Sequence, residues 1–564
     1  MSVLSRPIKL PPTGWMLAGL LVIYVFAGLF GHDPWKTEDV IHLAVARDFL
    51  DTGHGLGLSL AGRTFLAAPL YYWSAALTEF IFGGLLPAHD ALRLASGLWT
   101  ALALIALYYA GREWYGRDAA AATPILLIGS FGLIVRVHEA QPMLTLFAAE
   151  SLLLLALALL PRKGRAALFS LAAALFLAAL GAGVSGLFPL LALCPLPLMA
   201  RYRPDATPLR FWGAGMLLGA ALTAAALALL HYAAPEWQMA WFYQEYQRLT
   251  GNWRYGGDLR EYATLLPWFS WPLWPLAGWT LWKNRRVWQS RETLRQNARL
   301  LLPLTAFFLL LFLLPVCLSA RESTALLLLP PLALLATPGA LSLRRGAANA
   351  FDWFSSMVFC VFALLLWAGW SAMVFGFPAR LARRVVELSP GFVGRFDFWL
   401  FVLAVAVTLW WLRLLLQLPR SPWRCLVRWS AGLITLWLLA VSLWLPWIDY
   451  GKSYRQLAAA LAAQLPEERP ACVAEWRLGE AQRASFAYFE RLAFTPLQAA
   501  DGRCRWLLTQ DNPRVETALP DQDWRRVWEG SRPGDRKERF RLYRRVEEST
   551  VRRGSGKAQR YEPG

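Results

Sequence analysis

The sequence predicts a polytopic α-helical membrane protein with about thirteen transmembrane helices and a small α/β domain at its C-terminal end. Three observations predict it. Apolar runs close to spanning length recur from Gly14 to Trp447, and alternate loops between them are short and basic. After Trp447 the pattern changes to short apolar strands alternating with helical stretches. Composition agrees: of 564 residues 57% are hydrophobic, 30 are Trp and 17% are charged, whereas soluble chains carry about a quarter charged residues.

The first run, Gly14–Phe30, follows Arg6 and Lys9 without a small-residue cleavage site after it, and reads as a retained first helix. Further runs are Ala91–Ala110, Ala119–Val135, Met143–Leu160, Ala166–Leu180, Val184–Ala200 and Phe211–His231. Then come Leu265–Trp282, Leu300–Leu318, the short Ala325–Ala336, Met357–Phe375, Phe398–Leu416 and Ala431–Trp447. The basic loops (Arg112/Arg117, Arg162 to Arg165, Arg201 to Arg210, Lys283 to Arg299, Arg344/Arg345, Arg413 to Arg428) all fall on the N-terminal side. Positive charge marks the cytoplasmic side, so the N-terminus is expected inside and the C-terminal domain outside. The net charge of +19 is thus a topology signal, and no nucleic-acid partner is expected.

Three outward parts are long enough to act: residues 31–89, residues 231–262, and the domain 448–550, which a basic tail 551–564 follows. The first contains two amphipathic stretches, Glu38–Leu50 and Pro69–Phe82. The domain reads as strands Ala471–Glu475, Arg505–Leu508 and Arg539–Arg545 with helices Ser453–Gln464 and Leu478–Arg491. Its two cysteines, Cys472 and Cys504, fit a disulfide on an oxidising side better than a metal site. Two further outward turns are Arg136-Val-His-Glu-Ala-Gln141, where His138-Glu139 reads as a solvated turn, and Ser319-Ala-Arg-Glu-Ser323.

No P-loop, GxGxxG, HExxH or zinc-spaced Cys/His cluster occurs, so no nucleotide cofactor is expected. The most suggestive acids are Glu38-Asp39, held at the membrane surface after the first helix, where a carboxylate can accept a proton from a hydroxyl or amine. The same pair also reads as an ordinary acidic first turn of a helix, favoured by the helix dipole.

In order and topological place, several motifs resemble one family: Glu38-Asp39 with Ala46-Arg-Asp48, Pro69-Leu-Tyr-Tyr-Trp73, Ser185-Gly-Leu-Phe-Pro189, and Ser319-Ala-Arg-Glu322 with Pro330-Pro-Leu-Ala-Leu334. The chain resembles the bacterial lipid-linked-sugar glycosyltransferases typified by the aminoarabinose transferases of lipid A, relatives of the protein O-mannosyltransferases with the GT-C fold. The resemblance covers essentially the whole chain and implies a domain 1–447 with that fold and a periplasmic C-terminal domain. It implies sugar transfer from a polyprenyl-phosphate donor to a periplasmic glycolipid, glycan or protein acceptor, with membrane lipid and that donor as partners.

The family reads Asp-Glu where this chain has Glu38-Asp39, arginine at Ile41, Glu-Lys at Leu66-Ala67, an acid at Gln141, lysine at Ser185 and Glu-His at Glu245-Tyr246. The resemblance gives Glu38 or Asp39 the role of base. Arg321, Arg248 and Arg254 are candidates for the phosphate, since arginine forks onto phosphate oxygens. Arg321-Glu322 also reads as a local ion pair. Glu245 and Asp258 are candidates to bracket a divalent metal. Two rivals stand beside this reading. One is a non-catalytic GT-C paralogue that binds lipid or a partner protein. The other is a transporter, for which charges inside the spans, such as Glu150 and Arg413, are scarce.

Overall fold

The computed structural model describes residues 14–52, 56–200, 207–255, 259–318, 321–466, 472–500, 504–512, 519 and 524–546. The basic tail, Arg201, Arg203, Asp258 and the Ser319-Ala320 start of the second turn lie outside them. The chain divides into two compact units, Met1–Ser453 and Tyr454–Gly564.

In the first unit, eight helices among the described residues are long and apolar enough to cross a membrane, and Met143–Leu159 is a shorter apolar helix. The protein is therefore a multi-pass membrane protein. The number of full-length helices is below the thirteen runs read from the sequence, because some runs are interrupted. Ala119–Val135 divides into Ala122–Ile128 and Phe131–Arg136. The interruption falls at Gly129, whose carbonyl accepts the Trp429 indole N–H at 2.7 Å. Leu265–Trp282 divides into Leu259–Phe269 and Leu273–Lys283, since Pro272 lacks the N–H that a continuous helix needs there.

Gly164–Leu191 reverses direction inside. Gly183 has φ 66° and ψ −163°, a conformation that glycine alone adopts readily. Gly164 packs on Phe211, Leu168 on Gly215 and Ala172 on Gly219, so this segment and Thr207–Ala233 run the same way. The chain must return between them, and the Trp212 indole donates to the Cys194 carbonyl at 2.9 Å, back at the starting level. A Cβ on Gly215 would lie 2.9 Å from the Leu168 carbonyl oxygen. Small residues that let helix backbones touch are the usual packing device in membranes.

The two amphipathic stretches of the first loop form the helices Glu38–Thr52 and Leu70–Phe82, joined through a two-strand ribbon, Ser59–Leu60 against Arg63–Thr64. The loop is tied to the last span. Asp449 accepts the Asp33 backbone N–H at 3.0 Å and the Trp35 indole N–H at 2.8 Å, and the Ser453 hydroxyl donates to Asp33 at 2.6 Å. The stretch 231–262, read as a loop, is mostly the helix Pro235–Tyr255. Pro235 starts it, as proline favours the first helical position, and Trp237 and Trp241, one turn apart, are buried.

The second unit is a five-stranded sheet in the order Phe494–Pro496, Val473–Trp476, Trp506–Asp511, Arg539–Arg545, Trp524–Gly530. The first three strands are parallel and the last two pairings antiparallel. Strand Trp524–Gly530 is missing from the sequence reading because an irregularity between Arg526 and Trp528 breaks the alternation that marks a strand. Helices Arg455–Ala462 and Glu480–Glu490 supply Leu457, Leu461 and Phe486 to a core shared with Leu508, Phe540 and Leu542. Cys472 and Cys504 precede two paired parallel strands, with Cα atoms 4.8 Å apart, and are disulfide-bonded. Closing a loop of this length is worth about 3–4 kcal/mol. Reduction is expected to lower the unfolding free energy of this unit by that order, and chemical denaturation with and without reductant measures it.

Candidate active site

Glu38 and Asp39 open the helix Glu38–Thr52, where acids are favoured by the N-terminal dipole. Being adjacent, they point in different directions, and the structure gives them different chemistry. Asp39 is buried, at 1% exposure. Its carboxylate accepts two hydrogen bonds from Arg93, at 3.1 and 2.8 Å, and one each from the backbone N–H of Trp35 at 3.0 Å and Ala140 at 2.7 Å. Burial alone would raise its pKa. The charge and hydrogen bonds of Arg93 overcome that and lower it to about 2. Asp39 is therefore a fixed anion at neutral pH and a poor proton acceptor.

Arg93 is fully buried and also donates to the carbonyls of His32 and Asp33, each at 2.9 Å, and to Asp90 at 3.4 Å. Asp90 in turn accepts the Gly31 N–H at 3.1 Å. The first loop and the helix Ala88–Tyr115 are thus pinned on one guanidinium, and the turn before Met143 joins them through Asp39. Arg93 lies within the run Ala91–Ala110. An arginine inside an apolar run is the signal by which it was findable.

Glu38 remains partly open, its side chain 27% exposed, with the Arg136 guanidinium 3.8 Å away. One of its oxygens accepts from the Gln141 amide at 2.7 Å. Arg136 joins the two outward turns: it donates to Glu139 at 3.1 Å and to Glu322 at 2.5 Å. Three carboxylates therefore gather on Arg136, which sequence reasoning had left in a turn. The reading of His138-Glu139 as a solvated turn is corrected. His138 is buried, stacks on Trp437 and bonds the carbonyls of Tyr24 and Ile134, while Glu139 is held by Arg136.

Burial, with the charge of Asp39 added and Arg136 opposing, pushes the Glu139 carboxyl up to about 7. Its ordinary value is 4.5. Between these two values the folded chain holds more protons than the unfolded one, so this group makes stability fall as pH rises. In Glu139→Gln the change in unfolding free energy between pH 5 and pH 8 is expected to shrink by about 1–3 kcal/mol. Unfolding in detergent at the two pH values measures it.

Glu322 pairs with Arg136, so the local ion pair Arg321-Glu322 does not form. Arg321 is exposed and makes no ion pair among the described residues. Its backbone N–H donates at 3.0 Å to Thr324, whose hydroxyl also bonds Tyr262.

Glu245 is buried beneath the reversal at Gly183. It accepts from the Ser185 backbone N–H at 3.0 Å, the Ser185 hydroxyl at 2.6 Å and Arg248 at 2.7 Å. A Cβ on Gly183 would lie 2.7 Å from its carboxylate. Glu245 thus caps the returning helix with one oxygen, and the other is taken by Arg248. With a guanidinium against it, it fits a divalent metal poorly, and among the described residues no group of three metal-ligating side chains occurs. Asp258 and the side chain of Arg254 lie outside the described residues. Packing connects this region to the acids: Gly181 lies against Thr145, whose hydroxyl donates to the Pro142 carbonyl beside Gln141.

No family model matches the chain. It is 24% identical over 292 residues to undecaprenyl phosphate-alpha-4-amino-4-deoxy-L-arabinose arabinosyl transferase 1 of Pseudomonas fluorescens Pf0-1, a match covering 48% of this chain and 50% of that protein. It is 25% identical over 293 residues to transferase 2 of the same name from P. fluorescens Pf-5, covering 48% of each. The chain thus spans about half the length of the curated relatives it matches. The crystal structure of ArnT from Cupriavidus metallidurans bound to undecaprenyl phosphate superposes with a TM-score of 0.65 at 16% identity, over 94% of this chain and 98% of that one. Its apo form gives 0.64 at 15% over the same shares. The chain has the GT-C fold of ArnT and is a divergent relative, in sequence, of the aminoarabinose transferases.

Proposed function

We propose that this protein is a glycosyltransferase of the bacterial inner membrane. It moves a sugar from a polyprenyl-phosphate donor to an acceptor on the periplasmic face, with its N-terminus in the cytoplasm. The acceptor oxygen or nitrogen attacks the anomeric carbon and the sugar–phosphate bond breaks. The phosphate leaves with the bonding electrons, and the acceptor's proton passes to Glu38. The observation that carries this reading is the division of labour between adjacent acids. Asp39 is locked on Arg93, whereas Glu38 stays partly open beside Gln141. The ArnT-like fold supports the donor class, since one of the solved relatives was crystallised with undecaprenyl phosphate.

Arg321 takes the leaving phosphate in this reading, because it is an exposed cation next to Glu322 with no carboxylate partner among the described residues. Arg248, half-committed to Glu245, is the second cation, and Arg254 the third. No step is routed through a metal, given the engagement of Glu245.

Polyprenyl-phosphate binding and sugar transfer by Arg321→Ala test the phosphate assignment. Loss of one charged hydrogen bond is expected to weaken binding about tenfold or more, while Arg117→Ala in a basic loop leaves it unchanged. Equal, small effects of the two substitutions would remove Arg321 from the site.

A further inference from the structure

Glu322 begins the helix Glu322–Leu341, and Arg344 stands just beyond its other end, about 30 Å away at 1.5 Å per residue. There, far from the acids, an open groove of about 360 Å³ runs between helices Leu273–Lys283 and Arg345–Phe375. Its walls are apolar and aromatic: Trp271, Pro275, Trp279 and Phe351. From Trp271 to Trp279 it follows the chain for about 12 Å, the reach of an acyl-chain segment.

One end of the groove is polar in a specific way. The Arg344 guanidinium lies over the Trp279 ring, 5.6 Å from its centroid. The Trp279 indole N–H is buried and has no acceptor. A buried donor without a partner is costly and uncommon. Lys283, Arg285, Arg286 and Arg345 flank this end, and among the described residues none of them, nor Arg344, makes an ion pair. One lining cation, Arg344, four more on adjoining stretches of the same two segments, and an unused N–H at the end of an apolar trough are complementary to a phosphate carrying a hydrocarbon chain. Among the described residues no carboxylate pairs with these cations, so the field at the mouth favours a headgroup of net negative charge over a zwitterionic one.

We propose that this groove binds an anionic glycerophospholipid from the leaflet on the side of the basic loops. The phosphate sits on Arg344 and the Trp279 N–H, and an acyl chain lies toward Trp271 and Phe351. The site is independent of the transfer reaction, since it occupies the other end of the bundle.

Native mass spectrometry of the purified full chain, delipidated in detergent and titrated with phosphatidylglycerol or phosphatidylcholine of the same acyl chains, tests it. Phosphatidylglycerol is expected to bind about tenfold more tightly, because both lipids offer the phosphate but only phosphatidylcholine adds a cation that the basic mouth repels. Arg344→Gln should remove that preference. Trp279→Phe, which keeps an aromatic face but removes the N–H together with the pyrrole ring, should weaken phosphatidylglycerol binding a few-fold more than it weakens phosphatidylcholine binding, so the test does not rest on Arg344→Gln alone. Equal binding of the two lipids would overturn the proposal. So would a preference that both variants retain, or displacement of phosphatidylglycerol by an equimolar short-chain polyprenyl phosphate.

Discussion

Arg93→Ala should destabilise the membrane unit by about 3–5 kcal/mol, the usual cost of removing one partner from a buried ion pair. The variant would leave Asp39 at 1% exposure with two backbone N–H donors and no countercharge. It would also release the carbonyls of His32 and Asp33, which Arg93 holds at 2.9 Å. Lysine keeps the charge but not the fork, so Arg93→Lys should recover only part of the loss. Asp39→Asn should fall between the two, because its amide oxygen can keep one of the two backbone donors, which bond different carboxylate oxygens. Unfolding in detergent followed by denaturant titration ranks the three. If Arg93→Ala cost under about 1 kcal/mol, the size of a surface ion pair, the pin between first loop and first long span would be an incidental contact.

Glu38→Gln should behave in the opposite way, leaving stability intact and removing catalysis. Glu38 is partly exposed, and the side chain keeps its partner after substitution, because the glutamine carbonyl oxygen can still accept from Gln141. What it loses is the capacity to take a proton. General bases contribute about a hundred- to ten-thousand-fold in rate, and sugar transfer in membranes should fall by that order at unchanged expression. Asp39→Asn should lose activity only in proportion to lost stability. Full activity in Glu38→Gln combined with inactivity in Glu139→Gln would move the base to Glu139, whose carboxyl titrates near neutrality.

The helical plan was legible because apolar runs and basic loops are both one-dimensional signals. In one of the two interrupted runs the break is local, at Pro272, and in the other a side chain from a distant segment takes part. Trp429 bonds the Gly129 carbonyl, some three hundred residues away in sequence, and interrupts a run that looks continuous. Helix Pro235–Tyr255 was hidden by its many charged and aromatic residues, which read as loop until the buried pair Trp237 and Trp241 is known. In the site, the acids themselves were readable, but their roles were not. Nothing in Glu38-Asp39 says which side chain turns inward. That is decided by Arg93, Trp35 and Ala140, three partners from three segments. Arg136 was visible only as a turn residue, since Glu38 and Glu322, which join its neighbour Glu139 on it, come from segments that the fold alone brings together.

The most direct test places the purified protein in liposomes with polyprenyl-phosphate-linked sugars and a glycolipid acceptor, and follows both released polyprenyl phosphate and glycosylated acceptor. The mechanism predicts one polyprenyl phosphate released for each sugar transferred. It also predicts that Glu38→Gln still binds the donor lipid but turns over at least about a hundredfold more slowly. Tight donor binding by the unmodified protein with no release from any sugar in a broad donor panel would contradict it, and would make the chain a lipid-binding relative that has kept the fold without the reaction.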